Sequence, residues 1–279
     1  MIMRKDNSIS KIITYLFIII WIIFTITPLY WLLSCTFKPT AEALGYPPTF
    51  FPKNPTLNNF RILFTSSRFN FHSYGHSLII SLGAMLISTT VAVFAGYGLS
   101  RIAFKGRNFV MTGILLFQMI PILATLIPLY RIYSLYGLYN THLGLMLIYA
   151  TQTAPMNTWL LKGYFDTIPY AIEEAAQIDG LSRTQSLLRI ALPIAAPGLS
   201  ASAIFAFFRA WNEYMVAMTM TSTVRPYTVE LYRFIGEHGD VDWSLLGTAA
   251  FIAVLPVFIL FSFFQKYFII GLSGGAIKS

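Results

Sequence analysis

The sequence predicts an all-α membrane protein that crosses the bilayer several times. Of its 279 residues, 56% are hydrophobic and only 11% are charged, and the mean hydropathy is +0.64. Soluble domains carry roughly 25% charged residues, so this chain lacks the polar surface that contact with water requires. Its apolar runs are long and unbroken, which favours spanning helices over the alternating segments of about ten residues found in membrane β-barrels.

Six segments have the length of a spanning helix, which is ~20 mostly apolar residues. They lie at about 12–33, 78–99, 109–130, 143–161, 199–220 and 245–265. With the loop 162–198, they predict a single transmembrane domain over residues 1–279. The first segment is read as a retained helix, because the 26 uncharged residues between Lys11 and Lys38 exceed the ~7–15 of a signal-peptide core. The long loop 34–77 contains five prolines and is predicted to be ordered but not helical.

Basic residues at the ends of these segments predict the orientation. The N-terminus, the loops 2–3 and 4–5 and the C-terminus hold eleven of the 19 lysines and arginines, whereas the opposite loops hold seven over more residues. The positive-inside rule then places both termini in the cytoplasm. The net charge of +8 is explained by this topology, so binding to nucleic acid is not expected.

The cytoplasmic loop between the fourth and fifth segments carries the most specific pattern. It reads Glu173-Glu174-Ala175-Ala176-Gln177-Ile178-Asp179-Gly180, then nine residues, then Ile190-Ala191-Leu192-Pro193. Acidic residues near a helix start face the positive end of the helix dipole, and Gly180 permits the positive φ of a sharp stop. Ser182 is a predicted N-cap for a second helix to about Leu192. The pattern therefore predicts a small helix–turn–helix below the membrane.

This pattern resembles the EAA loop of ABC importer permeases. Matching positions are Glu174, Ala175, Ala176, Gly180, Ile190, Leu192 and Pro193. The resemblance implies a coupling helix that docks in a cleft of a cytoplasmic ATPase. It thereby implies coupling roles for Glu173, Glu174, Ala175, Ala176, Asp179, Gly180, Ile190, Leu192 and Pro193.

Further segments are similar to the carbohydrate-uptake, MalG-like branch of these permeases. They are Thr36–Pro39, Glu42, Phe51–Leu57, Ala210–Tyr214, Asp242-Trp243, Gln265–Phe268 and Gly271–Lys278. The small departures are Leu181 and Ser182 after the loop glycine, and Ser279 at the end. The resemblance implies a subunit that imports sugar by alternating access. The identity of the sugar stays open.

The same resemblance implies the partners and the location. They are a related, MalF-like second permease, two ATPase subunits that hold ATP and Mg²⁺, and an extracytoplasmic solute-binding protein, in a bacterial or archaeal cytoplasmic membrane. The chain itself is expected to be non-catalytic and to bind no cofactor, because its glycine cluster 271–275 lacks the lysine and the strand–helix context of a phosphate loop. In the family this tail lies against the ATPases, which implies contacts by Gly274, Gly275 and Lys278.

The fifth segment is the one that charges interrupt. Arg209 and Glu213 are four residues apart and so share a helix face. Because charges at this depth face a polar cavity or a partner, the pair either lines the solute path or locks helices together. A path at this face would also include Trp211, Asn212 and Tyr214, residue types that stack on sugar rings or bond their hydroxyl groups.

Two alternatives to a sugar importer stay open. The solute of an importer of the same type could be a polyol or a sugar-phosphate. A secondary transporter is the alternative outside this class, although it would not need a docking loop. The four histidines are expected in outer loops without metal-ligand spacing, so no metal site is predicted.

Overall fold

A computed structural model describes residues 8–65, 70–234 and 241–276. Every regular element in these ranges is helical. The helices are α1 (Ser8–Thr36), α2 (Thr40–Ala43), α3 (Asn58–Thr65), α4 (His72–Arg101), α5 (Arg107–Phe117), α6 (Ile122–Leu135), α7 (His142–Asp166), α8 (Tyr170–Ile178), α9 (Arg183–Ser186), α10 (Leu192–Ile194), α11 (Ala196–Trp211), α12 (Met215–Met220), α13 (Tyr227–Leu231) and α14 (Trp243–Ala276). A π-helical turn (Leu187–Ala191) joins α9 to α10, and a 3₁₀ turn (Tyr232–Phe234) follows α13. The all-α prediction is therefore confirmed.

Three of these helices, α1, α4 and α14, are long and apolar enough to cross a membrane. Two bent pairs raise the number of candidate spans to five if each pair is one span. The first pair is α5 with α6, bent by 90°, and the second is Arg183–Ile194 with α11, bent by 83°.

The third predicted segment, 109–130, is not one helix. Helix α5 ends at Phe117, and helix α6 begins at Ile122. Pro121 explains the break, because it has no N–H to donate and it disfavours the α conformation at Ile120. The fifth segment is interrupted as well, between Trp211 and Met215.

Two further expectations need correction. The loop 34–77 is partly helical, since it contains α2, α3 and the start of α4. The second helix of the cytoplasmic loop is not uniformly α-helical, because the N–H of Leu192 reaches the carbonyl of Leu187, five residues back. Pro193 accounts for this π turn, since it supplies no N–H to the carbonyl four residues earlier.

The chain divides into two compact units. The described part of the first comprises α1–α3, the chain 231–234 and residues 241–254. Inside it α1 and α14 approach closely at Gly247, where an added Cβ would lie 3.3 Å from both the Cβ of Cys35 and the carbonyl oxygen of Leu32.

The first loop is held in this unit by polar side chains. The Asn59 amide donates to the carbonyls of Thr36 and Lys38, at 2.8 Å each. The Lys38 ammonium is buried, donates to the Thr49 carbonyl and lies 4.6 Å from the centre of the Trp31 ring. In its described part, the loop is ordered as predicted, although its order includes short helices.

The second unit contains α4–α12, most of α13 and the rest of α14. The α4–α7 pair is its central contact, and at Gly96 an added Cβ would lie 3.0 Å from the backbone of Lys162. Ser88 on α4 accepts hydrogen bonds from Thr153 at 2.9 Å and from Asn157 at 3.1 Å on α7. Asn157 therefore forms a hydrogen bond between two helices, as is common for polar side chains within membrane helices.

Candidate functional site

The helix–turn–helix between α7 and α11 is formed by short-range signals. Helix α8 follows Pro169, and Gly180 after its end has φ +95°, the left-handed conformation predicted for this glycine. The Ser182 side chain accepts from the N–H of Gln185, whose own side chain accepts from the N–H of Ser182. This capping box confirms the predicted N-cap and fixes the start of the second helix.

One face of α8 is anchored on the end of α4. Glu173 is 3% exposed, and its carboxylate lies 2.6 Å from the Arg101 guanidinium. The Tyr97 hydroxyl donates to the same carboxylate at 2.6 Å. Since an isolated charge is strongly disfavoured in such an environment, each ion depends on the other.

Arg101 also contacts the segment that leads into α8. It donates to the carbonyl of Ile168 at 3.0 Å, and its guanidinium carbon lies 4.4 Å from the centre of the Tyr170 ring. The Tyr170 hydroxyl in turn donates to the carbonyl of Ser100 at 2.8 Å. One side chain of α4 therefore fixes both the start and the first turn of α8.

A hydrogen bond joins the neighbouring ends of α4 and α7, and an ion pair within α7 shares its carboxylate. The Ser100 hydroxyl donates to Asp166 at 2.7 Å, and the Lys162 ammonium lies 2.5 Å from the same carboxylate. The end of α7 is thus fixed beside the anchor of α8.

The opposite face of α8 is exposed. Glu174, Ala175, Asp179 and Gly180 are open to solvent, and Ile178 is 86% exposed. This exposed face, 174–175 with 178–180, carries acidic, small and apolar groups together.

The structure therefore divides the residues predicted for coupling. Glu173 and Ala176 point into the chain, whereas Glu174, Ala175, Asp179 and Gly180 point outward. On the second helix, Ile190 and Leu192 are half-buried and Pro193 is exposed. Arg101 was absent from the predicted set, because it looks like an ordinary topology signal at the end of an apolar segment.

The residues of the fifth segment that were predicted to line the solute path also differ in burial and in their contacts. Trp211 is 2% exposed and stacks on Phe207, with ring centres 5.5 Å apart. The Tyr227 ring is tilted against it, with ring centres 4.7 Å apart. Asn212 is exposed and donates to the carbonyl of Phe208, and the Tyr214 hydroxyl bonds the Met218 sulfur at 2.9 Å.

Glu213 has a structural position at the break between α11 and α12. Its two carboxylate oxygens accept from the backbone N–H groups of Val216 at 2.9 Å and Ala217 at 3.0 Å. The Tyr149 hydroxyl donates to it at 2.9 Å. These bonds satisfy the free amides at the start of α12, so Glu213 locks the break in place.

Arg209 is the one of the five that lines a cavity. The cavity has a volume of about 680 Å³ and lies between α5, α6, α7 and α11. Its lining residues are Phe117, Gln118, Ile120, Pro121, Ile122, Thr125, Leu129, Tyr133, Ile148, Thr151, Gln152 and Arg209. The break in the third segment therefore forms part of the wall.

The remaining predicted residues are those of the C-terminal tail and the histidines. Gly274 and Gly275 lie in α14, and Lys278 lies outside the described residues. His72 and His76 lie on α4 and not in a loop, and Nδ1 of His76 is 2.8 Å from Nε2 of His142. In the described ranges no group of three or more metal-ligating side chains could hold a metal ion.

A known protein family matches the part of the chain that contains the helix–turn–helix and the cavity. The family described as "Binding-protein-dependent transport system inner membrane component" matches residues 88–272. This chain belongs to that family. The prediction of an importer permease is thereby confirmed, and the permease is a multi-pass protein of the inner membrane.

Several curated permeases align with nearly the whole chain. YcjP of Escherichia coli K12, an inner membrane ABC transporter permease, is 32% identical over 98% of this chain and 99% of its own length. The trehalose/maltose permease MalG of Thermococcus litoralis is 31% identical over the same shares. The maltodextrin permease MdxG of Bacillus subtilis is 34% identical over 98% of each chain.

Solved structures confirm the fold of the permease. A crystal structure of a bacterial ABC transporter that imports the acidic polysaccharide alginate contains a chain with a TM-score of 0.80. That chain is 21% identical, and the match covers 96% of this permease and 99% of the solved chain. A second structure, of an alginate ABC transporter with an alginate pentasaccharide-bound periplasmic protein, has a TM-score of 0.67 at 18% identity.

Proposed function

We propose that this permease imports a carbohydrate, driven by ATP that partner subunits hydrolyse. The relatives named above include permeases for trehalose, maltose and maltodextrin, and they align end to end with this chain. The observation that carries the coupling part is the two-sided nature of α8. One face is anchored to α4 through Arg101 and Glu173, and the other offers Glu174, Ala175 and Asp179 to a partner.

The arrangement in the membrane follows from the same proposal. Six segments cross the bilayer, namely α1, α4, α5 with α6, α7, α11 with α12, and α14. Helix α7 is the least apolar of them, but its Thr153 and Asn157 are buried against α4 and do not face lipid. The basic loops place both termini and α8 in the cytoplasm.

An importer of this kind requires three kinds of partner subunit. Two ATPases hold ATP and Mg²⁺, a related second permease completes the pathway, and an extracytoplasmic binding protein delivers the solute. Closure of the ATPases would move α8, and the buried Arg101–Glu173 pair would pass that motion to α4. Coupling of this kind travels through packed elements that move as units.

The test is reconstitution of the purified heteromer in liposomes with its binding protein. Sugar uptake should require ATP inside and loaded binding protein outside. Uptake by this chain alone, without ATP, would favour a secondary transporter. If the binding protein retains a polyol or a sugar-phosphate, the carbohydrate part of the proposal fails and the importer part stands.

A further inference from the structure

The cavity beside the broken third segment carries an inference that rests on the proposed function and makes its substrate more specific. We propose that this cavity is a subsite for an anionic group, a carboxylate or a sulfonate, borne by the transported saccharide. Arg209 supplies the positive charge, and the side chains of Gln118 and Gln152 supply neutral hydrogen-bond donors. The volume of about 680 Å³ lies within the ~300–1,000 Å³ range of small-molecule sites.

Arg209 has no counter-charge in the described part of the chain. The described residues include no acidic group within ion-pair distance of it, and its side chain is exposed to the cavity. The acidic residue one turn away, Glu213, already uses its oxygens to accept from Tyr149 and from the amides that begin α12. A lone guanidinium at membrane depth is strongly disfavoured unless a counter-charge or water reaches it.

The rest of the lining offers donors to the same space. The amide nitrogen of Gln152 is buried and has no hydrogen-bond partner among the described residues. The Gln118 amide donates only a long bond, 3.3 Å, to the carbonyl of Gln152. Among the described residues that line the cavity there is no aspartate or glutamate. A ligand that satisfies an unpaired guanidinium and a buried amide N–H must bring acceptor oxygens, and an oxyanion brings the most.

The backbone of the cavity wall supports a site that holds polar solute. Residues 118–121 are not helical, and α5 and α6 diverge there by 90°. Irregular backbone at membrane depth is tolerated where it lines a cavity, and in transporters broken helices mark solute sites. The Phe117 and Tyr133 rings add apolar faces on which a sugar ring can pack.

A pair of matched disaccharides tests the charge requirement directly. Cellobiose is neutral, and cellobiouronic acid is the same disaccharide with one carboxylate. Saturation-transfer NMR would measure their binding to the complete nucleotide-free complex in phosphatidylcholine nanodiscs, without binding protein. We expect the uronate to bind at least about tenfold more tightly than cellobiose, because a charged hydrogen bond contributes that much.

Substitutions assign this preference to the cavity. Arg209→Gln should abolish the preference, Arg209→Lys should retain part of it, and Arg131→Gln should not change it. Arg131 is the matched control, an exposed arginine of α6 outside the cavity lining. Equal binding of both disaccharides, or undiminished uronate binding by Arg209→Gln, would overturn the subsite. Displacement of the uronate by equimolar acetate would also overturn it, since the site would then recognise a free anion.

Two further measurements are needed. The first separates a role of Arg209 in the subsite from a role at a subunit interface, and the second separates failure of the subsite from failure of the importer function. Native mass spectrometry should find the second permease still bound to Arg209→Gln, and its loss would assign Arg209 to the subunit interface and overturn the proposal. Sugar-stimulated ATP hydrolysis tests the importer function independently. If stimulation occurs without any preference for charge, the subsite fails and the importer stands. If no saccharide stimulates hydrolysis, the importer proposal itself fails.

Discussion

The Arg101 guanidinium and the Glu173 carboxylate lie 2.6 Å apart, with only 7% and 4% of their side chains exposed. They connect the last residue of α4 to the first turn of α8 across 72 positions of sequence. Because both charges are buried, this pair has few alternative arrangements. It therefore fixes the angle at which α8 leaves the helices of the second unit.

Removal of either charge should uncouple transport from ATP hydrolysis. Arg101→Gln and Glu173→Gln each leave one buried ion without its partner, a change that destabilises by ~3–5 kcal/mol. We expect inserted protein with reduced sugar-stimulated ATPase activity and largely unchanged basal activity. The measurement is ATP hydrolysis in proteoliposomes with and without loaded binding protein.

The double variant Arg101→Gln/Glu173→Gln provides the control for that prediction. It leaves no unpaired ion, so its defect should be smaller than the sum of the two single defects. Strictly additive losses would show that the two residues act independently, and the anchoring role would be wrong.

The exposed face of α8 should govern contact with the ATPase. Glu174 is exposed on the helix that buries Glu173, so Glu174→Lys should leave the fold intact and weaken ATPase association. Gln177→Lys places a lysine at another exposed position of α8 without removing an acidic group and is the control. The ATPase retained during purification measures the effect. Equal retention by both variants would exclude Glu174 from the contact.

The helix–turn–helix at 170–194 was predictable because its signals are local. A capping serine, a glycine that needs positive φ and a short helix depend on neighbouring residues, and Ser182 and Gly180 have the predicted conformations. Composition predicted a membrane protein, and the long unbroken apolar runs predicted that its spans are α-helices. The fixed spacing of the loop was enough to predict the family.

The anchor and the cavity were not predictable in the same way. Arg101 meets Glu173 only after α4 and α8 have packed, and no local pattern marks such a pair. Hydropathy counted 109–130 as one helix because Pro121 is apolar, although its missing N–H ends the hydrogen-bond ladder. Arg209 and Glu213 look like a pair at helical spacing. Because the helix breaks after Trp211, the Glu213 carboxylate instead accepts hydrogen bonds from the backbone amides that begin α12.

Gly180 should be required for its backbone conformation and not for space. Its φ is +95°, and an added Cβ would meet open space. A β-branched side chain in a left-handed conformation costs about 1–2 kcal/mol or more, whereas asparagine tolerates it better. Gly180→Val should therefore reduce sugar-stimulated ATPase activity, and Gly180→Asn should retain most of it. Equal activity of the two variants would exclude a role for the turn angle.

The single cysteine offers a probe of the first unit without mutagenesis. Cys35 lies at the end of α1 and is 4% exposed, with Gly247 of α14 packed against it. We expect a membrane-impermeant maleimide to leave the native complex unlabelled and to label it after denaturation. Gly247→Leu should separate α1 from α14 and allow labelling of the folded protein from the extracytoplasmic side. Labelling of Cys35 from the cytoplasmic side would overturn the orientation.

The first loop should lose order in acid through Glu42. Its carboxylate accepts from the N–H of Lys53 at 2.8 Å, the Thr49 hydroxyl at 2.9 Å and the N–H of Asn54 at 3.3 Å. These bonds, chiefly that from Lys53, hold the pKa of Glu42 below its usual value. A lowered pKa in the folded state means that the ionised form stabilises the loop above ~4.3, the ordinary pKa of glutamate.

That stabilisation is lost as the pH falls from ~4.3 through the lowered pKa of folded Glu42. Hydrogen exchange of residues 36–57, compared between wild type and Glu42→Gln at each pH, isolates this contribution because intrinsic exchange rates cancel. At neutral pH the variant should exchange faster, since its neutral amide accepts more weakly from the N–H groups of Lys53 and Asn54. Below the folded pKa the two proteins should exchange alike. A difference that persists unchanged into strong acid would show that the charge of Glu42 does not order this loop.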